Sequence, residues 1–291
     1  MSLIFQLLIN GLIAGAIYAI IAVGFSLIYS TCKFMHFAHG ATVTVSAYLL
    51  YFLFSRLGLD FGFAVILTLI LASLLGYLMD RVVYKQLRVR KANNATFLMA
   101  GLALLVLVES VITMVFGANA KTIDLIKVAK GDDFLGAIIT PLQAFIIAVS
   151  VFLFIALFFF MKKTKMGKAM RAVSDNWEAA EIVGISSERI YSWSFIIGSF
   201  IAGIAGILIG LEQTFSPTIG TDLILCGFTA AIIGGIDNVY AAVLGALLLG
   251  LVENFGILYL PASYKSAISF VLLFIFLLFR PQGILGVKRG T

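Results

Sequence analysis

The sequence predicts an all-α protein threaded repeatedly through a membrane, as a single domain over 1–291. Two observations carry that class. Of the 291 residues, 62% are hydrophobic and 12% are charged, against about 25% charged in an ordinary soluble domain, so no water-facing fold could hide this much apolar surface. Apolar runs of roughly 20 residues, the helical length that crosses a hydrocarbon core of about 30 Å, also recur from end to end and leave no stretch for a separate soluble domain. The net charge of +6 sits in short loops beside those runs. Basic residues placed there orient a membrane protein; they do not form a patch suited to nucleic acid.

Apolar runs between polar breaks place spans near 3–29, 38–55, 62–80, 95–116, 140–161, 190–211, 222–236, 239–258 and 264–280. The first has no positively charged n-region and is too long for the core of a signal peptide, so it is expected to be retained as a span. The seventh is short and ends in Gly234 and Gly235 before Asp237 and Asn238. It fits a half-helix that enters the bilayer and turns back as well as it fits a crossing, which gives about eight to ten transmembrane helices. Three basic clusters should face the cytoplasm: Arg81, Lys85, Arg88, Arg90 and Lys91; then Lys162, Lys163, Lys165, Lys168 and Arg171; then Arg280, Lys288 and Arg289. The loop 117–140 balances Lys121, Lys127 and Lys130 with Asp124, Asp132 and Asp133, as an outward-facing loop can. Nine crossings then put the N-terminus outside and the C-terminus inside, whereas a re-entrant turn around Lys33 to Gly40 would put the N-terminus inside.

Small residues recur at four-residue intervals in two spans, at Gly11 and Gly15 and at Ala202, Gly206 and Gly210, a spacing that lets helix backbones approach closely within one chain. No strong internal repeat is visible. Cys32 and Cys226 lie in apolar surroundings, where a packing role without a disulfide is expected. Glu109, Glu212 and Glu253 fall in or at the ends of apolar runs, where an ionised carboxylate costs at least about 2.5 kcal/mol unless it is paired or hydrated. No span carries a run of matched acids and bases, so hydrogen-bonded structural glutamates are expected, with a proton or cation relay as the rival.

The segment 162–189 is polar, strongly charged and helix-forming, yet lies between two long spans. A transporter driven by a soluble motor needs such a segment. Asp175 to Ile185 is expected to form one short amphipathic helix across the cytoplasmic ends of the spans, with Gly184 as its stop. No G-x-x-x-x-G-K-[ST] phosphate cradle occurs, so any ATP must be bound by another chain and this one is expected to need no cofactor. Catalytic constellations are missing too, and no catalytic residue is assigned. His36 and His39 lack nearby carboxylates for a metal triad, so no metal is expected. Polar groups at membrane depth normally face a cavity or a partner, which makes His36, Phe37, His39 and Gly40, with Thr42 and Tyr18, candidates for lining a solute path.

These blocks carry a family resemblance. Glu178, Ala179, Ala180 and Gly184 stand in the order E-A-A-x-x-x-G, which resembles the cytoplasmic coupling loop of bacterial ABC importer permeases. Gly167 to Asp175 is similar to that family's G-R-A-x-R-A-x-x-x-D segment, with Arg171 and Asp175 in matching places. His36, Phe37, Ala38, His39, Gly40 and Ala41 resemble an N-F-A-H-G-E motif, departing from it at both ends. Ser216 to Gly220, Gly234 to Ile236, Gly245 to Glu253 and Phe279 to Gly283 follow in family order. Together they resemble, over nearly the whole chain, the permeases of branched-chain amino-acid ABC importers, the LivH type.

That resemblance implies a multi-pass subunit of the bacterial cytoplasmic membrane that moves a branched-chain or other hydrophobic amino acid. Family members also carry urea, short amides and other small solutes. The implied partners are ABC ATPase subunits, a second permease (a related chain rather than a copy) and an extracellular or periplasmic solute-binding protein, all around a lipid bilayer. Coupling to the ATPase would run through Arg171, Asp175, Glu178, Ala179, Ala180 and Gly184. An ion-gradient-driven secondary transporter and a passive channel are the rivals from other classes, and neither needs the charged segment.

Overall fold

The computed structural model describes residues 2–123, 132–134, 137–261 and 264–285. The loop charges Asp124, Lys127 and Lys130 and the C-terminal Lys288 and Arg289 lie outside the described residues. Every expected span appears as a helix. In order, the elements are α1 (Ser2–Cys32), α2 (His39–Leu50) running into a π-helical turn (Tyr51–Arg56), and α3 (Phe61–Met79). A second π-helical turn (Asp80–Tyr84) leads from α3 into α4 (Lys85–Val89), followed by α5 (Asn94–Phe116). The antiparallel hairpin of β1 (Asp132–Phe134) and β2 (Ala137–Ile139) sets Asp132 opposite Ile139. Then come α6 (Pro141–Lys163), α7 (Lys165–Asp175), α8 (Trp177–Ile182), α9 (Ser187–Glu212), α10 (Ile219–Gly234), α11 (Val239–Gly256) and α12 (Lys265–Phe279).

The polar breaks read from the sequence act as helix starts. Asp60 accepts from the amides of Gly62 and Phe63, Asn93 from Thr96, and Asn238 from Tyr240 and Ala241, so donors that a first turn leaves open are satisfied by a side chain. Thr140 and Gln143 close a full capping box, with Pro141 at the first helical position where its missing N–H costs nothing. Among the described residues six helices are long and apolar enough to cross a membrane, whereas α10 and α12, with 16 and 15 residues, are shorter apolar helices. At 1.5 Å per residue α10 covers about 24 Å, less than a hydrocarbon core.

The missing length is made up by non-helical chain buried inside the bundle. After α1 stops at Lys33, whose backbone is left-handed (φ 59°), the segment through Ala38 turns back among helices. The ring of His39 comes to lie against Gly24, two turns up α1. Phe34, Phe37 and Ala38 are buried there. A matching segment follows α9: Phe215 is buried and pairs its backbone with Lys121, and five residues later Gly220 rests on Gly40. Irregular backbone at membrane depth is tolerated only where protein covers it.

The helices pack with an internal symmetry that the sequence, which carries no strong visible repeat, does not display. Helix α1 packs on α9, α10 and α11, while α9 packs on α1, α2 and α3. Exchanging α1, α2 and α3 with α9, α10 and α11 maps these pairings onto themselves. The pseudo-axis passes two reciprocal crossings. A Cβ at Gly24 would lie 3.2 Å from the carbonyl of Gly198, and one at Gly198 would lie 3.2 Å from the carbonyl of Gly24. Gly40 and Gly220 meet in the same mutual way, carbonyl to α-carbon. The four-residue glycine spacing also serves packing within the chain, with Gly11 and Gly15 on α11 and Gly206 on α2.

One end of the bundle gathers Lys33 and Asp237 (2.8 Å), Arg88 and Glu188 (3.0 Å), and the backbone pairing of Leu285 with Gly234. The other gathers Gln6 with Ile138, Gln143 with Glu212, and Lys121 with Phe215. The described basic clusters share the first end, and the N-terminal half of α1 reaches the second. This arrangement matches nine passes with the N-terminus on the same side as the 117–140 loop.

Candidate functional site

The charged segment 162–189 folds as two helices rather than one. Thr164 caps α7, and Gly167 fits against the end of α6 where a side chain would collide with the Met161 backbone. Met170 and Val173 are buried while Arg171 points outward. Asn176 (φ −157°) breaks the helix and starts α8 by accepting from the amide of Ala179 at 3.0 Å. Asp175 therefore ends one helix instead of beginning the next, a correction to the single helix expected over Asp175 to Ile185. An asparagine that competes for the backbone is the physical reason. The expected stop holds: Gly184 has φ +87°, with the amide of Ile185 returning to the carbonyl of Ala180 at 2.9 Å.

Helix α8 is docked on one small side chain and open on the rest. Ala180 is buried, while Glu178, Ala179, Glu181 and Gly184 are exposed. Trp177, Ile182 and Val183 are 50%, 86% and 74% exposed. This short helix thus displays three large apolar side chains between acids, uncovered by the described residues of the chain. Arg171 and Asp175 face a cavity of about 1070 Å³ beside it, which Lys33 and Asp237 also line.

The candidate path residues separate into two places. The hydroxyl of Tyr18 on α1 donates to Glu253 at 2.8 Å. His36, Phe37, His39, Gly40 and Thr42 lie instead in the core among α1, α9 and α10. Phe37 packs on Phe25 and Phe228, with ring centroids 6.3 and 5.2 Å away. His36 shares a hydrogen bond from Nδ1 to the Tyr84 hydroxyl at 2.8 Å and sits edge-on to Phe195. The second His36 nitrogen and the hydroxyl of Thr42 are buried without a hydrogen-bond partner among the described residues.

Glu109, Glu212 and Glu253 are each hydrogen-bonded. Glu253 is buried and accepts from Tyr18, from Ser269 and, at 3.9 Å, from the thiol of Cys226. Glu109 accepts from Thr221, and Glu212 from the amide of Gln143 at 3.0 Å. These bonds support the structural reading over a relay.

Sequence reasoning missed one cluster. Asp80, fully buried, accepts from the Arg88 guanidinium at 2.7 Å and from the Ser192 hydroxyl at 2.6 Å. Arg88 also grips Glu188 through Nε at 3.0 Å and Nη2 at 3.1 Å, and lies 5.0 Å over the ring of Tyr191. Removing one partner from such a buried pair costs about 3–5 kcal/mol, because it strands the other charge. A signal was present: Asp80, Tyr84 and Arg88 recur every four residues, one stripe along a helix. Read only as a member of a basic cluster, Arg88 concealed it.

Comparison with known proteins follows the geometry. The profile of the family described as branched-chain amino acid transport system, permease component, matches residues 7–277. LivH, the high-affinity branched-chain amino acid transport permease protein of Escherichia coli, is 30% identical over 295 residues, covering 97% of this chain and 95% of LivH. BraD of Pseudomonas aeruginosa, described in the same terms, is 31% identical over 97% of this chain and 95% of its own. A probable LivH of Methanocaldococcus jannaschii is 28% identical over 97% and 92%.

Proposed function

This chain belongs to the branched-chain amino acid transport permease family, and from that premise we propose that it is the membrane-spanning subunit of an ABC importer for branched-chain or other hydrophobic amino acids. The observation that carries the reading is α8. Its exposed Trp177, Ile182 and Val183 stand on a cap and a glycine stop, and the helix leads directly into the central helix α9. In this mechanism an ATPase pair covers α8 and a solute-binding protein delivers cargo at the opposite end. A second, related permease completes the pathway, and the bacterial cytoplasmic membrane is its place. Arg171, Asp175, Glu178, Ala179, Ala180 and Gly184 form the coupling surface. His36, Phe37, His39, Gly40, Thr42 and Tyr18 border the moving core that admits the solute. The motor shifts the spans by no more than the difference in its contacts with α8 in its two states.

A Gly184→Trp variant tests the coupling surface. No heavy atom lies within 4 Å of where its Cβ would be, so the bundle is not disturbed, but the left-handed backbone disfavours any other residue by roughly 1–2 kcal/mol. Membrane insertion should persist while uptake of radiolabelled leucine falls at least about ten-fold, the effect of a 1.4 kcal/mol change in coupling. Wild-type uptake by Gly184→Trp would remove α8 from the mechanism.

A further inference from the structure

Behind α8, two buried networks meet on one helix. The first turn of α9, which directly follows α8, presents Glu188, Tyr191 and Ser192 to Arg88 and Asp80. Asp80 and Tyr84 are the two ends of the π-helical turn, and Arg88 is one further step of four along the same stripe. Tyr84 in turn holds His36 at 2.8 Å, and its ring packs on Phe34 (4.9 Å) and Phe195 (5.2 Å), which also touch each other. Contact is therefore continuous from the coupling helix to the buried segment that launches α2.

We propose that Arg88 is a positioning residue of transport: it carries displacement of α8 and the first turn of α9, through Glu188 and Asp80, to Tyr84 and the His36 segment. This rests on the reading of α8 as the coupling helix. Three features favour a transmission role over a static one. Arg88 is the only described cation on this contact path, and its fork touches both the fully buried Asp80 and the part-exposed Glu188, so displacement of Glu188 either pulls on Asp80 or breaks the Arg88–Glu188 pair. The Nη1 of Arg88 is buried without a partner among the described residues, leaving one donor for a second arrangement. The turn between Asp80 and Tyr84 is π-helical, a geometry that occurs mainly as single-turn bulges at functional sites. Relaxation of that turn to α-helical pairing would rotate Tyr84 and Arg88 relative to Asp80, which gives the two-state element that energetic coupling requires.

The test uses the complete importer reconstituted in sealed proteoliposomes, with ATP hydrolysed per leucine imported as the readout. Arg88→Lys keeps the charge but loses the fork, and Tyr84→Phe keeps the ring but loses the bond to His36. A structural defect lowers hydrolysis and uptake together and leaves their ratio unchanged. Each variant should instead retain binding-protein-independent hydrolysis and raise the ratio at least about five-fold, the low end of coupling between sites. The double variant should be no worse than the worse single one, since both cut the same connection. An unchanged ratio in Arg88→Lys, or effects that multiply in the double variant, would overturn the proposal. If wild-type uptake followed an ion gradient and ignored ATP, the importer reading would fall as well.

Discussion

Glu253 shows at the scale of one residue how a chain keeps a carboxylate among apolar helices. All its contacts are donors: the Tyr18 and Ser269 hydroxyls and the Cys226 thiol. A glutamine there keeps the shape but not the charge, so these become neutral hydrogen bonds, roughly half as strong as charge-assisted ones, at a cost of about 1 kcal/mol. Glu253→Gln should therefore lower the thermal midpoint of the detergent-purified chain, and transport by the fraction that remains folded should keep its indifference to ionophores. Wild-type uptake that follows an ion gradient, with that dependence lost in Glu253→Gln, would instead mark Glu253 as a relay. The sequence makes the cost of this glutamate plain, because a carboxylate in an apolar run is visible. Its partners are not visible: Tyr18 lies 235 positions away, and a pairing across that distance is a property of the fold.

Among elements, periodic apolar runs bounded by polar residues are the most readable feature, and each of the nine expected spans has a described helix that begins and ends near its breaks. The segments before α2 and α10 fall in the expected breaks, and a re-entrant turn around Lys33 to Gly40 is one of the alternatives the sequence leaves open; what the sequence does not show is that Phe34, Phe37 and Phe215 are buried there. The split at Asn176 was hidden by a charged context in which one asparagine decides the backbone. The crossing of α2 and α10 gives a sharp prediction. A Cβ at Gly220 would meet the Gly40 carbonyl and the Thr44 hydroxyl, and one at Gly40 would meet the Gly220 carbonyl. Neither neighbour can yield, since each is backbone or already bonded: the Thr44 hydroxyl accepts from the Gly220 amide at 3.0 Å. Gly220→Leu should separate the helices and abolish folded protein, whereas Leu at Gly58, where nothing lies within 4 Å, should yield near-normal amounts despite a strained φ. Size-exclusion profiles of the two variants in detergent decide the matter, and a monodisperse Gly220→Leu would show that the crossing tolerates more space than its geometry grants.

For the whole molecule the question is what supplies energy. The sequence lacks a phosphate cradle, and Glu109, Glu212 and Glu253 are engaged by hydroxyl, thiol and amide donors. In the proposed importer, a chain whose α1 and α9 cross closely at Gly24 and Gly198 takes the energy for alternating access from outside the bilayer. The exposed α8 is where that energy can enter. The purified chain should therefore hydrolyse no ATP and, reconstituted alone, should accumulate no leucine against a gradient. With an ATPase pair, a second permease and a solute-binding protein, uptake should persist when protonophore and sodium ionophore collapse the ion gradients, and stop when ATP is withdrawn. Accumulation by the chain alone, driven by a proton or sodium gradient and lost in Glu109→Gln, would show that the carboxylate bonded to Thr221 moves protons or cations and that α8 has another use.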